Sequence, residues 1–181
     1  MPSDGAARER LRSIIADKSL LKDGDFTLAS GAKSSMFFDM KKTMLDPEGA
    51  TLLADALWEL VKDRSVDCIG GLEMGAVPIV SQLSMRSFPE KPIPSFFVRK
   101  QTKGHGTDKK IDGYLPKGKT AIIFEDVTTT GDSAMQAVEA VRAAGLTVKT
   151  VITVVDRMEG AEDTFTNGDI ELVPLFTRND F

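Results

Sequence analysis

The chain has one cysteine in 181 residues, so no intrachain disulfide can form. That residue, Cys68, stands inside an apolar, strand-like stretch and reads as core packing rather than as nucleophile or metal ligand. Long hydrophobic runs are missing too, and none approaches the ~20 residues that span a bilayer. The first residues, Met1 to Arg10, lack the apolar centre of a signal peptide, so a cytoplasmic location and no membrane partner are expected. Positive charge is not in excess. A net charge of −4 and a pI near 5.1 argue against general nucleic-acid binding, although a local basic cluster can still hold an anionic substrate. There is no repeat, low-complexity tract or interdomain linker. A length of 181 residues with 41% hydrophobic content suits a single domain with a substantial core and room for a small subdomain.

The most informative segment runs from Thr120 to Ser133. Residues Ala121 to Phe124 are continuously apolar, as in a strand covered on both faces. Glu125 and Asp126 follow at once, and two unpartnered carboxylates cannot be core. They should emerge at the carboxyl edge of a parallel sheet, where open α/β folds hold ligands, and there accept hydrogen bonds from sugar hydroxyls. Thr128, Thr129 and Thr130, then Gly131, Asp132 and Ser133, offer hydroxyls and the backbone N–H groups of a helix start, an anion cradle suited to a phosphate. Taken without that context, the same residues are a solvated strand end and an ordinary turn with a helix cap.

Elsewhere hydrophobic spacing predicts an amphipathic helix over 7–21 and short strands at 26–29 and 36–39 flanking a hairpin loop over 30–35. Asp46-Pro47-Glu48 starts a helix whose stripe is Leu53, Ala56, Leu57, Leu60 and Val61, with Trp58 as packing. A β-α-β alternation then takes over, with strand 66–72, helix 77–88 and strand 93–98. After a polar break it resumes as strand 120–126, a helix carrying Ala134, Val138 and Val141, and strand 148–155. This is an α/β pattern, a mainly parallel sheet flanked by helices with right-handed crossovers. The run Gly113 to Thr120 matches the nucleotide-triphosphatase phosphate loop letter for letter, but it feeds a strand instead of opening a helix, which removes the amides that motif needs.

The break over 99–118 holds Arg99, Lys100, Lys103, Lys109 and Lys110 beside the chain's only histidine, His105. Loops this long in compact domains are lids, binding loops or solvated segments. A cationic lid beside a sugar-phosphate site would stabilise a departing pyrophosphate and exclude water.

The apolar run, paired acids and Thr-rich turn resemble the phosphoribosyl diphosphate motif of the type I phosphoribosyltransferases. The lid spacing, the stretch Phe26 to Asp39 and the turn Val155 to Ala161 are similar to those of the orotate phosphoribosyltransferase family in particular. The resemblance implies the type I fold with a small hood, formed by about 1–45 and the C-terminal segment, over a core of about 46–160. It implies Lys103, Glu125 and Asp126 as catalytic residues. It also implies phosphoribosyl diphosphate binding by Arg99, Lys100, Lys103, His105 and the whole run Glu125, Asp126, Val127, Thr128, Thr129, Thr130, Gly131, Asp132 and Ser133. Orotate would meet Thr129, Phe37, Phe38 and Arg157, the arginine pairing with its carboxylate. Without the resemblance, the two rings are hairpin core and Arg157 is an ion-pair partner of Asp156 or Glu159. Magnesium as cofactor and a homodimer sharing its lids are implied as well, with no side chain assigned to the metal alone. Departures stand at Ala29 and Met74, where many members carry lysine, and a backbone turn over Glu73 to Ala76 is the expected substitute. A purine transferase, or a regulator that binds phosphoribosyl diphosphate, are the other readings. The Arg157 turn argues against the first, and the acidic chain against the second.

Overall fold

The computed structural model describes residues 4–22, 24–27, 33–101, 110–116 and 118–181. Four parallel strands form the central sheet in the order β10-β9-β8-β5, with β5 spanning Cys68–Gly71, β8 Thr120–Thr128, β9 Thr147–Asp156 and β10 Glu171–Thr177. Side chains alternate across it as a strand's period of two requires. Along β8, Ile122 and Phe124 face one layer while Ala121 and Ile123 face the other, and all four are buried.

The first layer holds α1 (Asp4–Ile14), α3 (Pro47–Val61) and α4 (Ala76–Ser87), whose apolar faces meet Ile69, Ile122, Phe124 and Ile152. Asp46 caps α3 by accepting from Gly49 N at 2.9 Å, with Pro47 at the first helical position, so the Asp-Pro start works as its chemistry dictates. Trp58 is buried in this layer. The second layer holds α5 (Asp132–Ala143) and α6 (Ala161–Asn167), with Val138, Val141 and Phe165 against Cys68, Ile123 and Val151. Burial pushes the Cys68 thiol up to about 11, helped by the charge of Asp67, so it is an inert core residue.

Several expectations are corrected. The first helix ends at Ile14, continues as a π-helical turn over Ile15–Ser19 and gives way to β1 (Leu20–Leu21). Among the described residues, the hairpin expected between 26–29 and 36–39 does not form from Phe26–Thr27. β2 (Phe26–Thr27) pairs with β3 (Lys33–Ser34), while β4 (Phe37–Phe38) pairs antiparallel with β1, Leu20 opposite Phe38. The polar break is only partly a loop. β7 (Ile111–Gly113) pairs antiparallel with β6 (Phe96–Val98), and the ribbon runs beside β5 through the bridges Ile69–Ser95 and Leu72–Val98. The C-terminal segment, expected with the hood, puts β10 in the central sheet and also meets the N-terminal part: Arg8 donates to Leu175 O at 2.6 Å and lies over the Phe176 ring, and the Phe181 ring lies 5.3 Å from that of Phe38. An edge strand tolerates Pro174, which cannot donate to a ladder.

Candidate functional site

Glu125 and Asp126 sit near the carboxyl end of β8, opposite Thr153 and beside Val127, which pairs with Val155. The chain then turns at Gly131, whose φ of +90° is open to glycine at little cost, and enters α5 at Asp132. Two adjoining cavities result. One, about 450 Å³, is lined by Glu73, Met74, Gly75, Lys41, Lys100, Glu125 and Asp126; the other, about 320 Å³, follows the loop from Thr128 to Ser133. Glu125, Val127 and Ser133 border both.

The carboxylates lack neutralising partners. Glu125 is buried, and its Oε2 has no hydrogen-bond partner. Burial pushes its carboxyl up to about 8, the neighbouring Asp126 charge adds to this, and Lys100 pulls the other way. Asp126 is raised too, by burial first, against the backbone N–H of Val127 and the charges of Lys41 and Lys100. Such a pair calls for hydroxyl donors or a cation. The Thr128 hydroxyl is also buried without a partner, whereas Thr130 Oγ1 donates to Asp132 Oδ2 at 2.8 Å, so the Asp132 carboxylate is engaged within its own loop.

Lys100 and Arg99 divide. Lys100 lines the larger cavity, and its backbone N–H donates to Glu73 Oε1 at 3.0 Å. Arg99 instead pairs with Asp112 across the β6–β7 ribbon, lies 3.8 Å from Glu73 and stacks 5.3 Å over the Phe97 ring. Lys103 and His105 lie outside the described residues, as does Ala29. Glu73, Met74 and Gly75 border the larger cavity, with Gly75 against Asp126.

The two rings also divide. Phe38 is buried against Phe181, while Phe37 is 36% exposed with its ring 5.7 Å from Phe26. Arg157 is not a surface residue. It is buried, with Nη1 donating to Met36 O at 3.0 Å, Nη2 to Ser34 Oγ at 2.9 Å, and Nε and Nη2 to Glu159 Oε1 at 3.2 and 2.9 Å. Its backbone N–H donates to Thr128 O, which ties this turn to the phosphate-type cradle.

Sequence reasoning missed Lys41, the first residue of α2 (Lys41–Met44), which reaches the larger cavity from the N-terminal segment. Only its position just after the aromatic stretch hinted at it; a lysine pair at a helix start reads as solvated surface.

The family model described as a phosphoribosyl transferase domain matches residues 42–169. The orotate phosphoribosyltransferase of Bradyrhizobium diazoefficiens is 50% identical, over 99% of this chain and 98% of that one. The structure also resembles orotate phosphoribosyltransferase from Mycobacterium tuberculosis H37Rv. Its complex with Fe(III) dicitrate has a TM-score of 0.83 and 32% identity, covering 96% of this chain and 98% of that one. Its complex with 5-phospho-alpha-D-ribosyl 1-diphosphate gives 0.79 and 29%, with the same coverage.

Proposed function

The chain belongs to the orotate phosphoribosyltransferase family, and we propose that its transfer chemistry runs in the paired cavities around Glu125 and Asp126. The reaction moves ribose 5-phosphate from phosphoribosyl diphosphate to orotate, giving orotidine 5-phosphate and pyrophosphate in de novo UMP synthesis. The observation that carries the site is Glu125, which borders both cavities and keeps a buried oxygen without a partner.

In this reading the 5-phosphate takes the loop from Thr128 to Ser133, where the start of α5 presents N–H groups to an anion. The ribose lies over Glu125 and Asp126, which accept from its hydroxyls. The diphosphate points toward Gly75, Lys41 and Lys100. As the bond to pyrophosphate lengthens, the ribose carbon gains positive charge and the leaving group negative charge, and the cavity answers with carboxylates on one side and lysines on the other. Lys103 and His105 keep the roles the resemblance implies, at the leaving pyrophosphate. Deprotonated orotate supplies its own nucleophilic nitrogen, so no strong general base is required.

Magnesium fits this donor set. Among the described residues no group of three or more His, Cys, Asp or Glu could hold a metal alone, yet a hard ion that takes one or two carboxylates plus substrate oxygens suits the Glu125–Asp126 pair. When bound, it neutralises diphosphate charge. The reading also includes a homodimer sharing its lids and a cytoplasmic location, both resting on family resemblance; no described helix is long and apolar enough to cross a membrane.

Loss of orotate absorbance with phosphoribosyl diphosphate and magnesium, run beside adenine, hypoxanthine and uracil, tests the reading. Orotate alone should turn over, and Glu125→Gln should lower turnover strongly. Full turnover in Glu125→Gln would remove the site from the reaction.

A further inference from the structure

Four of the five N–H donors of Arg157 are engaged by protein oxygens. A guanidinium carries five N–H donors and grips a carboxylate through two parallel ones. Here the edge formed by Nε and Nη2 is taken by a single oxygen, Glu159 Oε1, while Nη1 is on Met36 O and Nη2 also on Ser34 Oγ. No edge has both donors uncommitted. A carboxylate gripped through two parallel donors therefore has to displace a bond, and Glu159 is the only anion on this guanidinium among the described residues. The Asp156 carboxylate is turned to its own loop instead, where Oδ1 accepts from Met158 N at 2.8 Å.

Glu159 has a second cation within reach. Arg178 Nη1 lies 3.4 Å from the same Oε1, and its side chain is 43% exposed where that of Arg157 is 4% exposed. Glu159 sits on a tight turn, between Met158 with φ +57° and Gly160 with φ +101°. The residue after Met36, whose carbonyl Arg157 holds, is the partly exposed Phe37.

We infer that Glu159 is a specificity-determining residue, a resident carboxylate that occupies Arg157 until a planar acid displaces it toward Arg178. The inference rests on the reading that Arg157 receives the orotate carboxylate. Exchange of one carboxylate for another leaves the buried guanidinium paired throughout, which matters because an unpaired buried charge is strongly unfavourable. It also disfavours uncharged bases. A ligand without a carboxylate would have to strip Glu159 from Arg157 and give no charge in return.

The test measures orotate KM and kcat, with uracil inhibition in parallel, for Glu159→Gln and Arg178→Ala under saturating phosphoribosyl diphosphate and magnesium. Removing the competitor should lower orotate KM by about threefold or more, and removing the alternative partner should raise it by a similar factor, as expected for a partly exposed ion pair. Inhibition by uracil should also tighten in Glu159→Gln, because the neutral base no longer has an ion pair to strip, and an unchanged uracil constant would remove the selection against uncharged bases. A brace with no exchange role would shift both variants toward weaker orotate binding, and an orotate KM that is unchanged or higher in Glu159→Gln overturns the inference. Arg157→Lys separates the two layers. If it leaves orotate KM within about twofold, the assignment of the carboxylate to Arg157 fails; if it weakens orotate while Glu159→Gln does not strengthen it, only the exchange fails. Thermal midpoints of all three variants confirm that they fold.

Discussion

Gly75 and Asp126 meet so closely that a β-carbon at position 75 would stand 2.3 Å from Asp126 Oδ1 and 2.6 Å from Cγ. The Asp126 carboxylate can therefore hold this place beside the start of α4 only because residue 75 has no side chain. Gly75→Ala should push the Asp126 carboxylate out of the ribose position. Steady-state kinetics should show kcat/KM for phosphoribosyl diphosphate lower by roughly tenfold or more, in line with the loss from a small misplacement of a positioned group. Unaltered kinetics would mean that Asp126 need not hold its place.

Glu125 makes stability depend on pH. Its carboxyl is pushed up to about 8 from 4.5, so across that interval the folded chain holds a proton that the unfolded chain has released. Stability contributed by the neutral form is complete below the ordinary value and is lost as pH rises through about 8. Urea unfolding of the ligand-free protein should show a decline from pH 5 to pH 8.5 on the order of a few kcal/mol at most. Glu125→Gln should flatten this slope, and an equal slope in wild type and variant would assign it to other groups.

Lys41 is 59% exposed and its Nζ lies 3.6 Å from Asp39 Oδ1, yet it borders the cavity given to the diphosphate. Lys41→Ala should raise KM for phosphoribosyl diphosphate by about three- to tenfold, the range of a solvent-screened charge contact, and move orotate KM less. Lys41→Arg should restore most of the affinity. A larger effect on orotate than on the diphosphate would place Lys41 at the base instead.

Adjacent phenylalanines should part company. Phe38 is 5% exposed and packed edge-on to Phe181, so Phe38→Ala should destabilise the protein by about 3 kcal/mol in denaturant unfolding. Phe37 is 36% exposed, so Phe37→Ala should cost no more than about 1 kcal/mol while raising orotate KM severalfold. Comparable stability losses with unchanged orotate KM would make both rings core.

The β-α-β alternation, the emergence of Glu125 and Asp126 at the end of an apolar strand, and the Gly131 turn into α5 were all legible because each is local. Strand and helix periods, a helix start and an acid pair that cannot be buried without consequence all act within a dozen residues. The structural role of Trp58 and the rejection of the Gly-Lys-Thr match followed from the same reasoning, since Thr120 opens β8 and not a helix.

Pairings across long separations were not legible. Residues 26–29 and 36–39 look like natural hairpin partners, but Phe38 is bound to Leu20, whose burial beside α1 and the Phe181 ring is decided by the whole layer. β7 hides in a polar stretch because its stability comes from pairing with β6 rather than from its own composition. β10 joins β9 as an edge strand and reads weakly because it carries Pro174.

The sequence by itself determined an α/β chain with a sugar-phosphate loop at one strand end, since those features need only neighbours along the chain. Only the tertiary structure decided that Lys41 joins Lys100 beside the acids, that Arg99 is engaged by Asp112, and that Arg157 is held by Met36, Ser34 and Glu159. Charges and donors choose partners by distance in space, and that distance exists only after the layers have closed.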